Sequence, residues 1–333
     1  MILYLKRNFP RIFPRIKFFK LVLVLAIILF VCLYFWLFDA DKRLEEYSRF
    51  GVTRQIDSTR RAPRSEAYTD ECLRLYKKLR HPNQSLIFQP PLRQPPAEML
   101  NDFEQNGYMP IMRYIYCNDV YADSGLVDEK SKQIPVITKQ QVDEYRTRSR
   151  KNETMSYGDL MLNTKALEYK DYIRDKSVVV IGTQSPWVEA IASEAGASRV
   201  TTVDYTRKRY EEDGFEWVHV YDFFDRALET KELENFDIAM SYSSIEHTGL
   251  GRYGDALDPY GDVHAVRQVH CMLKPGGLFF LGLPSSHDGF SFIEFNANRV
   301  YGLQRLDLLF KDWTLLESVQ SNDYFHTIHI LRK

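Results

Sequence analysis

Residues 177–204 read SVVVIGTQSPWVEAIASEAGASRVTTVD, and no other stretch restricts the possible folds as much. The run Val178, Val179, Val180, Ile181 is unbroken and β-branched, the character of a strand buried on both faces, as in a parallel sheet. It ends at Gly182. Pro186 then stands where a helix would start, because its fixed φ suits the first helical position and its missing N–H would have no partner there. The spacing predicts a helix over 186–195, with Gly196 as its left-handed cap, and a second strand over 199–203 with Asp204 at its tip. An acidic residue about 20 positions beyond a glycine turn, in a strand-helix-strand unit, is the arrangement that holds a nucleoside ribose by its hydroxyls.

The alternation continues downstream. Strands are expected over 217–221, 236–242 and 277–283, with a helix over 263–273 before the last of these. Lys274, Pro275, Gly276 and Gly277 end that helix with a cation, a proline stop and flexible glycines. Residues 292–310 read as a longer connection with at least one helix, and 313–319 and 324–331 as two strands close enough to pair as an antiparallel hairpin. Upstream, Thr138 and Gln141 have the spacing of a capping box that opens a helix to about residue 150, and a second helix is expected over 157–173. The fold class is therefore α/β: a seven-stranded, mostly parallel, Rossmann-like sheet with an antiparallel C-terminal hairpin, occupying residues 138–333.

The amino-terminal part has a different character. The formal charge of −1 hides a tail, residues 1–20, that carries six Lys and Arg and no acid. Residues 21–38 carry no charge and make a helix of roughly 27 Å, extended by Phe18 and Phe19, against a bilayer core of about 30 Å. A transmembrane anchor in the lipid bilayer follows. The run exceeds a signal-peptide core, and Asp39, Ala40, Asp41 offer no small-residue cleavage site. The basic flank predicts a cytosolic amino terminus, hence a single-pass type II protein with its carboxyl-terminal part in the lumen of the endoplasmic reticulum or Golgi. Residues 39–137, with prolines at 63, 82, 90, 91, 95 and 96, read as an irregular lumenal stem with one helix around 68–79. Sequons at Asn83 and Asn152 fall on the lumenal side and make both candidates for N-glycans. An oxidising compartment would allow a Cys72–Cys117 bridge with Cys271 buried as a small apolar residue; three free buried thiols are the alternative, and no metal spacing is present.

Chemistry concentrates in residues 245–255, IEHTGLGRYGD. Three glycines let this loop bend tightly beside the carboxyl end of the fourth strand. His247 is suited to remove a proton near neutral pH, with Glu246 orienting it or contacting the substrate. Alternatively both merely tie the loop to backbone. Asp255, Asp258 and Asp262 with Glu246 could be pictured around a divalent cation, but Asp262 as a cap for a helix from Val263 and Asp258-Pro259 as a turn are the preferred readings, so no metal is assigned. His264 and His270 read as surface or packing residues, and Trp187 as core or pocket wall. The loop of Ser285, Ser286, His287 and Asp288 can reach the same pocket edge. No nucleic-acid partner is expected.

VVVIG (178–182), TTVD (201–204), FDIAMSYSSIEH (236–247), MLKPGGLFFLGLP (272–284) and the terminal hairpin together resemble the class I S-adenosylmethionine-dependent methyltransferase fold, over about residues 155–333. More narrowly, SPWVEAIA, EHTGLGRYGDALDPYGD and FNANRVYG resemble a nematode family of methyltransferase-like domains of unknown function, number 268. The resemblance implies S-adenosylmethionine as cofactor, Gly182 beneath it, Asp204 on its ribose, Asp222 near its adenine, Gln184 at its amino-acid end, and Ser243 to His247 facing donor and acceptor. Val180 and Gln184 depart from the pattern, which has an acid and a second glycine there; a side chain at 184 crowds the approach that glycine permits. The expected activity is O-methylation of a lumenal hydroxyl compound such as a glycan. The alternatives are an inactive scaffold on the same fold, or a glycosyltransferase, for which an Asp-x-Asp motif is missing away from the membrane.

Overall fold

The computed structural model describes residues 66–333 apart from 89, 119–133, 287 and 324. The expected tail, anchor and membrane-proximal stem lie outside the described residues; among those described, no helix is long and apolar enough to cross a membrane.

Helix α1 (Glu66–Arg80) is followed by α2 (Leu100–Glu104), β1 (Ile111–Tyr114) and β2 (Val136–Ile137). Helices α3 (Lys139–Arg150), α4 (Met161–Glu168) and α5 (Lys170–Ile173) lead into β3 (Ser177–Ile181). Then come α6 (Trp187–Glu194), β4 (Arg199–Asp204), β5 (Arg209–Tyr210), β6 (Phe215–His219), α7 (Val220–Thr230), β7 (Phe236–Tyr242), α8 (Gly261–Met272) and β8 (Leu273–Pro284). The chain finishes with β9 (Phe292–Phe295), β10 (Asn298–Val300), α9 (Leu303–Leu309), β11 (Thr314–Gln320) and β12 (His326–Arg332).

One sheet has seven strands in the order β11-β12-β8-β7-β3-β4-β6. β3 pairs in parallel with both β4 and β7, and β12 runs antiparallel between β8 and β11. The chain thus winds outward from β3 through β4 to β6, then returns to β7 on the other side of β3. Such a reversal leaves a crevice at the carboxyl ends of the strands. The valine run follows from burial on both faces: Val178 and Val180 join Trp187 and Ile191 in one core, while Val179 joins Phe223 and Val266 in the other. Each buried valine stabilises the fold by roughly 1.5–3 kcal/mol.

Several boundaries differ from expectation. The third strand ends at His219, whose side chain caps α7 by accepting from the Tyr221 N–H, so Asp222 sits in the first turn of a helix. The expected helix over 157–173 begins only at Met161, after Tyr157 with a φ of +61°, and breaks at Tyr169. Asp262 is not the cap of α8, which starts at Gly261. Its carboxylate instead pairs with the Arg305 guanidinium, both side chains being buried. After α8 the chain enters β8 at Leu273, so Lys274 to Gly277 open a strand rather than separate it from the helix.

The larger difference concerns the expected stem. From residue 66 onward the stretch is part of the domain. Tyr76 of α1 is fully buried and stacks on Phe224 of α7 at 5.1 Å, and Arg80 pairs with Asp225 at 2.8 Å. Docking of α1 brings Cys72 to Cys271 of α8, and these two form the disulfide, not Cys72 with Cys117. Cys117 is a free thiol beyond β1, and its N–H donates to Asn296 Oδ1 at 2.6 Å. β1 pairs in parallel with β9, which pairs antiparallel with β10. Phe103 and Met109 pack with Leu250, Leu257, Ile293 and Phe295. This small sheet and its core form a buttress for the 245–255 loop.

Candidate functional site

A cavity of about 530 Å³ opens at the carboxyl ends of β3, β4 and β7, within the range of roughly 300–1,000 Å³ that takes drug-sized ligands. Its floor is the turn after β3. Gly182 has a φ of +65°, where side chains are disfavoured, and a Cβ there would stand 2.0 Å from the Ser244 Oγ. Glycine is thus favoured by the backbone conformation, and any side chain there would also have to displace that of Ser244. Thr183, Gln184 and Ser185 continue the rim.

Asp204 lines the cavity from the tip of β4. Its Oδ1 accepts from the Tyr205 N–H at 2.7 Å and its Oδ2 from the Lys208 ammonium at 2.9 Å. An ionised carboxylate has about four acceptor positions, so two remain for the hydroxyls of a ribose. The residues present fit a nucleoside-bearing ligand: a carboxylate at the second strand tip, a glycine opening the turn at the first, and the half-buried Tyr205 side chain, whose phenol desolvation pushes up so that it stays neutral.

The opposite wall is the loop after β7. The His247 ring lines the cavity and its Nδ1 lies 2.6 Å from the Ala297 carbonyl. A carbonyl only accepts, so Nδ1 carries a hydrogen, and in the neutral ring the lone pair is on Nε2. Glu246 is fully buried and does not line the cavity; its Oε1 accepts from the Ser243 hydroxyl at 2.7 Å and stands 3.7 Å from His247 Nε2, while Oε2 has no partner. Glu246 thus stands behind the imidazole, and the side chain that reaches the cavity is that of His247. Asp255 lines the cavity with its carboxylate cradled by the N–H groups of Gly249, Gly251 and Tyr253 at 2.7, 3.3 and 3.2 Å. Burial pushes this carboxyl up, and the three N–H groups oppose the shift.

Behind the loop, Arg299 of β10 is fully buried and donates to the carbonyls of Thr248 at 2.6 Å, Asp258 at 3.1 Å, Glu246 at 3.3 Å and Pro259 at 3.4 Å. Buried loop carbonyls without partners would each cost about 1–3 kcal/mol, so one guanidinium from β10 holds the loop in shape. The remaining wall is aromatic. Trp187, 3% exposed, packs edge-on against Tyr242 at 5.0 Å, and Tyr157 stacks on Tyr242 at 5.7 Å from the solvent side. Tyr242 is tied at its hydroxyl to Asp323 at 3.1 Å. Trp187 is thus a wall that leaves the cavity open.

Of the residues expected here, Gly182, Gln184, Asp204, Ser243 and His247 line the one cavity. Asp222 does not: it is exposed on α7. Ser285, Ser286 and Asp288 are also not among the lining residues, and His287 lies outside the described residues. The imagined cation cluster is dispersed, since Asp258 pairs with His264 at 2.6 Å, Asp262 with Arg305, and Asp255 with backbone. Among the described residues no group of three or more His, Cys, Asp or Glu is arranged to hold a metal. Sequence reasoning missed Lys208, Arg299 and Tyr157. FNANRVYG was singled out as a family mark, and it is the segment that supplies Asn296, Ala297 and Arg299 to the loop; nothing in the sequence drew attention to Lys208 or Tyr157.

Fold and site together define a doubly wound α/β domain with a nucleoside-sized pocket at its switch point. More narrowly, residues 175–330 match the model of DUF268, described as a Caenorhabditis protein of unknown function. No curated protein matches the sequence. Among solved structures, the chain is similar to the 1,6-didemethyltoxoflavin-N1-methyltransferase of Burkholderia thailandensis, determined with S-adenosylhomocysteine (16% identity, 58% of this chain and 86% of that one, TM-score 0.35). It is also similar to the N-methyltransferase NodS of Bradyrhizobium japonicum (17% identity, 51% and 93%, TM-score 0.35). A third is an S-adenosylmethionine-dependent methyltransferase of Mesorhizobium loti (15% identity, 52% and 98%, TM-score 0.35).

Proposed function

We propose that this protein is an S-adenosylmethionine-dependent O-methyltransferase acting on a hydroxyl of a lumenal compound such as a glycan. The observation that carries the reading is the meeting, in one cavity, of a ribose-competent carboxylate at Asp204 with an imidazole at His247 whose tautomer is fixed. S-adenosylmethionine, when bound, supplies an electrophilic methyl group. Asp204 accepts from the ribose hydroxyls, and the bare turn at Gly182 permits close approach of backbone. His247 Nε2 takes the acceptor's hydroxyl proton as the oxygen attacks, and the buried Glu246 carboxylate stabilises the imidazolium that forms. Tyr157, 56% exposed over the cavity's aromatic wall, offers a ring for a sugar to lie on.

The lumenal setting rests on the uncharged run of residues 21–38 with its basic flank, and on a disulfide, which persists in oxidising compartments. It also rests on Asn83 and Asn152, both on the exposed surface where N-glycans could be attached. A second reading, a scaffold without cofactor, is favoured by Gln184 on the rim where a glycine is usual. Calorimetric titration with S-adenosylhomocysteine separates the two: micromolar binding supports the enzyme, and no binding at millimolar ligand leaves the scaffold. With labelled donor and candidate glycans, His247→Ala should lose about 10²–10⁴-fold in turnover while retaining donor affinity; undiminished turnover would remove His247 as the base.

A further inference from the structure

The turn that follows β3 lacks the second glycine that would let it settle against a ligand, and residue 184 is a glutamine instead. Something else must hold that turn in place. Lys208 lies four residues past Asp204, in the short link between β4 and β5, and is 6% exposed. Lysine is rarely so buried unless it is paired. Its ammonium donates to Asp204 Oδ2 at 2.9 Å and to the main-chain carbonyl of Thr183. It is not itself a lining residue of the cavity. One cation therefore ties the strand tip that faces the ribose position to the turn beneath it.

Its surroundings make the arrangement specific. Lys208 also acts electrostatically on Glu189, a fully buried carboxylate that accepts from Thr202 and Tyr210, each at 2.8 Å, and has an unpartnered Oε2. Lys208 is thus the positive charge set among two buried or nearly buried acids. A neutral residue there would leave Asp204 held through Oδ1 by the Tyr205 N–H alone, and would free the Thr183 carbonyl.

We infer that Lys208 is a positioning residue for the ribose-binding carboxylate, bracing Asp204 against the Thr183 turn in place of a glycine-rich loop. The inference rests on the methyl-donor reading above and deepens it. With Oδ1 of Asp204 held by the Tyr205 N–H and Oδ2 by Lys208, the carboxylate that lines the cavity is fixed in orientation, so Lys208 acts on affinity for the ribose hydroxyls and not on the rest of the ligand.

The test is calorimetric binding of S-adenosylhomocysteine and of its 2′,3′-dideoxy analogue to the full-length chain, as wild type, Lys208→Met and Lys208→Arg. The wild type should prefer the ligand with hydroxyls. Lys208→Met should lose at least tenfold for that ligand and stay within twofold for the dideoxy analogue, with Lys208→Arg between the two. An equal loss for both ligands would mean a merely structural role and would overturn the inference, as would no loss. Should Lys208→Met fail to fold, the ratio of the two affinities in Lys208→Arg decides: a reduced ratio supports the brace and an unchanged ratio overturns it. Wild-type protein that binds neither ligand sinks the methyl-donor reading itself, a result distinct from the others.

Discussion

Removing the Cys72–Cys271 bridge should weaken the protein without changing its native contacts. The two cysteines are 199 residues apart in sequence. A cross-link closing a loop of that length lowers the entropy of the unfolded chain by an amount worth about 5 kcal/mol, and measured values usually fall somewhat below this. The native state keeps other ties to α1: Tyr76 stays buried against Phe224, and Lys333 Nζ donates to the Tyr68 hydroxyl at 2.6 Å and the His270 carbonyl at 2.6 Å. Cys72→Ala/Cys271→Ala should therefore lose about 3–5 kcal/mol, or roughly 6–10 °C in Tm for a domain of this size. Differential scanning calorimetry of wild type and double variant, with hydrogen exchange across α1, measures both parts. An unchanged Tm, or a bridge mapped by mass spectrometry to Cys117, would refute the reasoning. Exchange protection lost throughout α1 would show instead that the bridge, and not packing, holds the helix.

Arg299→Met should cost about 3–5 kcal/mol in urea denaturation, because Arg299 Nε also stands 3.7 Å from the buried Asp262 Oδ1 and its loss leaves that acid with one fewer cation and several loop carbonyls unpaired; turnover should fall further than stability explains, since His247 rides on that loop. Gly182→Ala should reduce donor affinity more than tenfold by titration, and adding Ser244→Gly should relieve the steric part but not the cost of the positive φ. Stability should decline as pH falls. Burial pushes His329 down to about 3 and His270 to about 4 from an ordinary 6.5. The folded state therefore keeps both neutral while the unfolded chain takes up protons. The stabilising contribution is complete above pH 6.5 and is lost on descending towards 4, by up to about 1.4 kcal/mol per pH unit for the fully buried His329. Urea midpoints between pH 7 and 4.5 should show this slope, flattened in His329→Gln.

Much of the central sheet was legible because its signals are local. A β-branched run, a proline and glycine at the two ends of a helix, and an acid at a strand tip fixed β3, α6 and β4 within a residue or two. β7 was read at its observed limits because Phe236 to Tyr242 is apolar apart from Asp237 and Ser241 and is bounded by Asn235 and Ser243. The third strand was placed two residues late because the His219 side chain caps a helix, a role for which histidine gives little warning. The loop around His247 was visible as a density of polar groups and glycines. What supports it was not, since the Arg299 contacts span 40 to 53 residues of sequence. The cysteine pairing failed for the same reason: it depends on where α1 docks, and no spacing rule encodes that.

The parallel pairing of β1 with β9 also separates two things that usually coincide, the stretch recognisable by ancestry and the stretch able to fold. The family match begins at residue 175, yet the partner of β9 lies at 111–114 and the helix bonded to Cys271 begins at 66. A fragment cut to the recognisable boundary would carry Gly182, Asp204, Glu246 and His247 with an exposed strand edge beside them, and it should aggregate. The recognisable motifs lie in the carboxyl-terminal half, while the covering of its sheet edge comes from sequence that such a comparison never reaches.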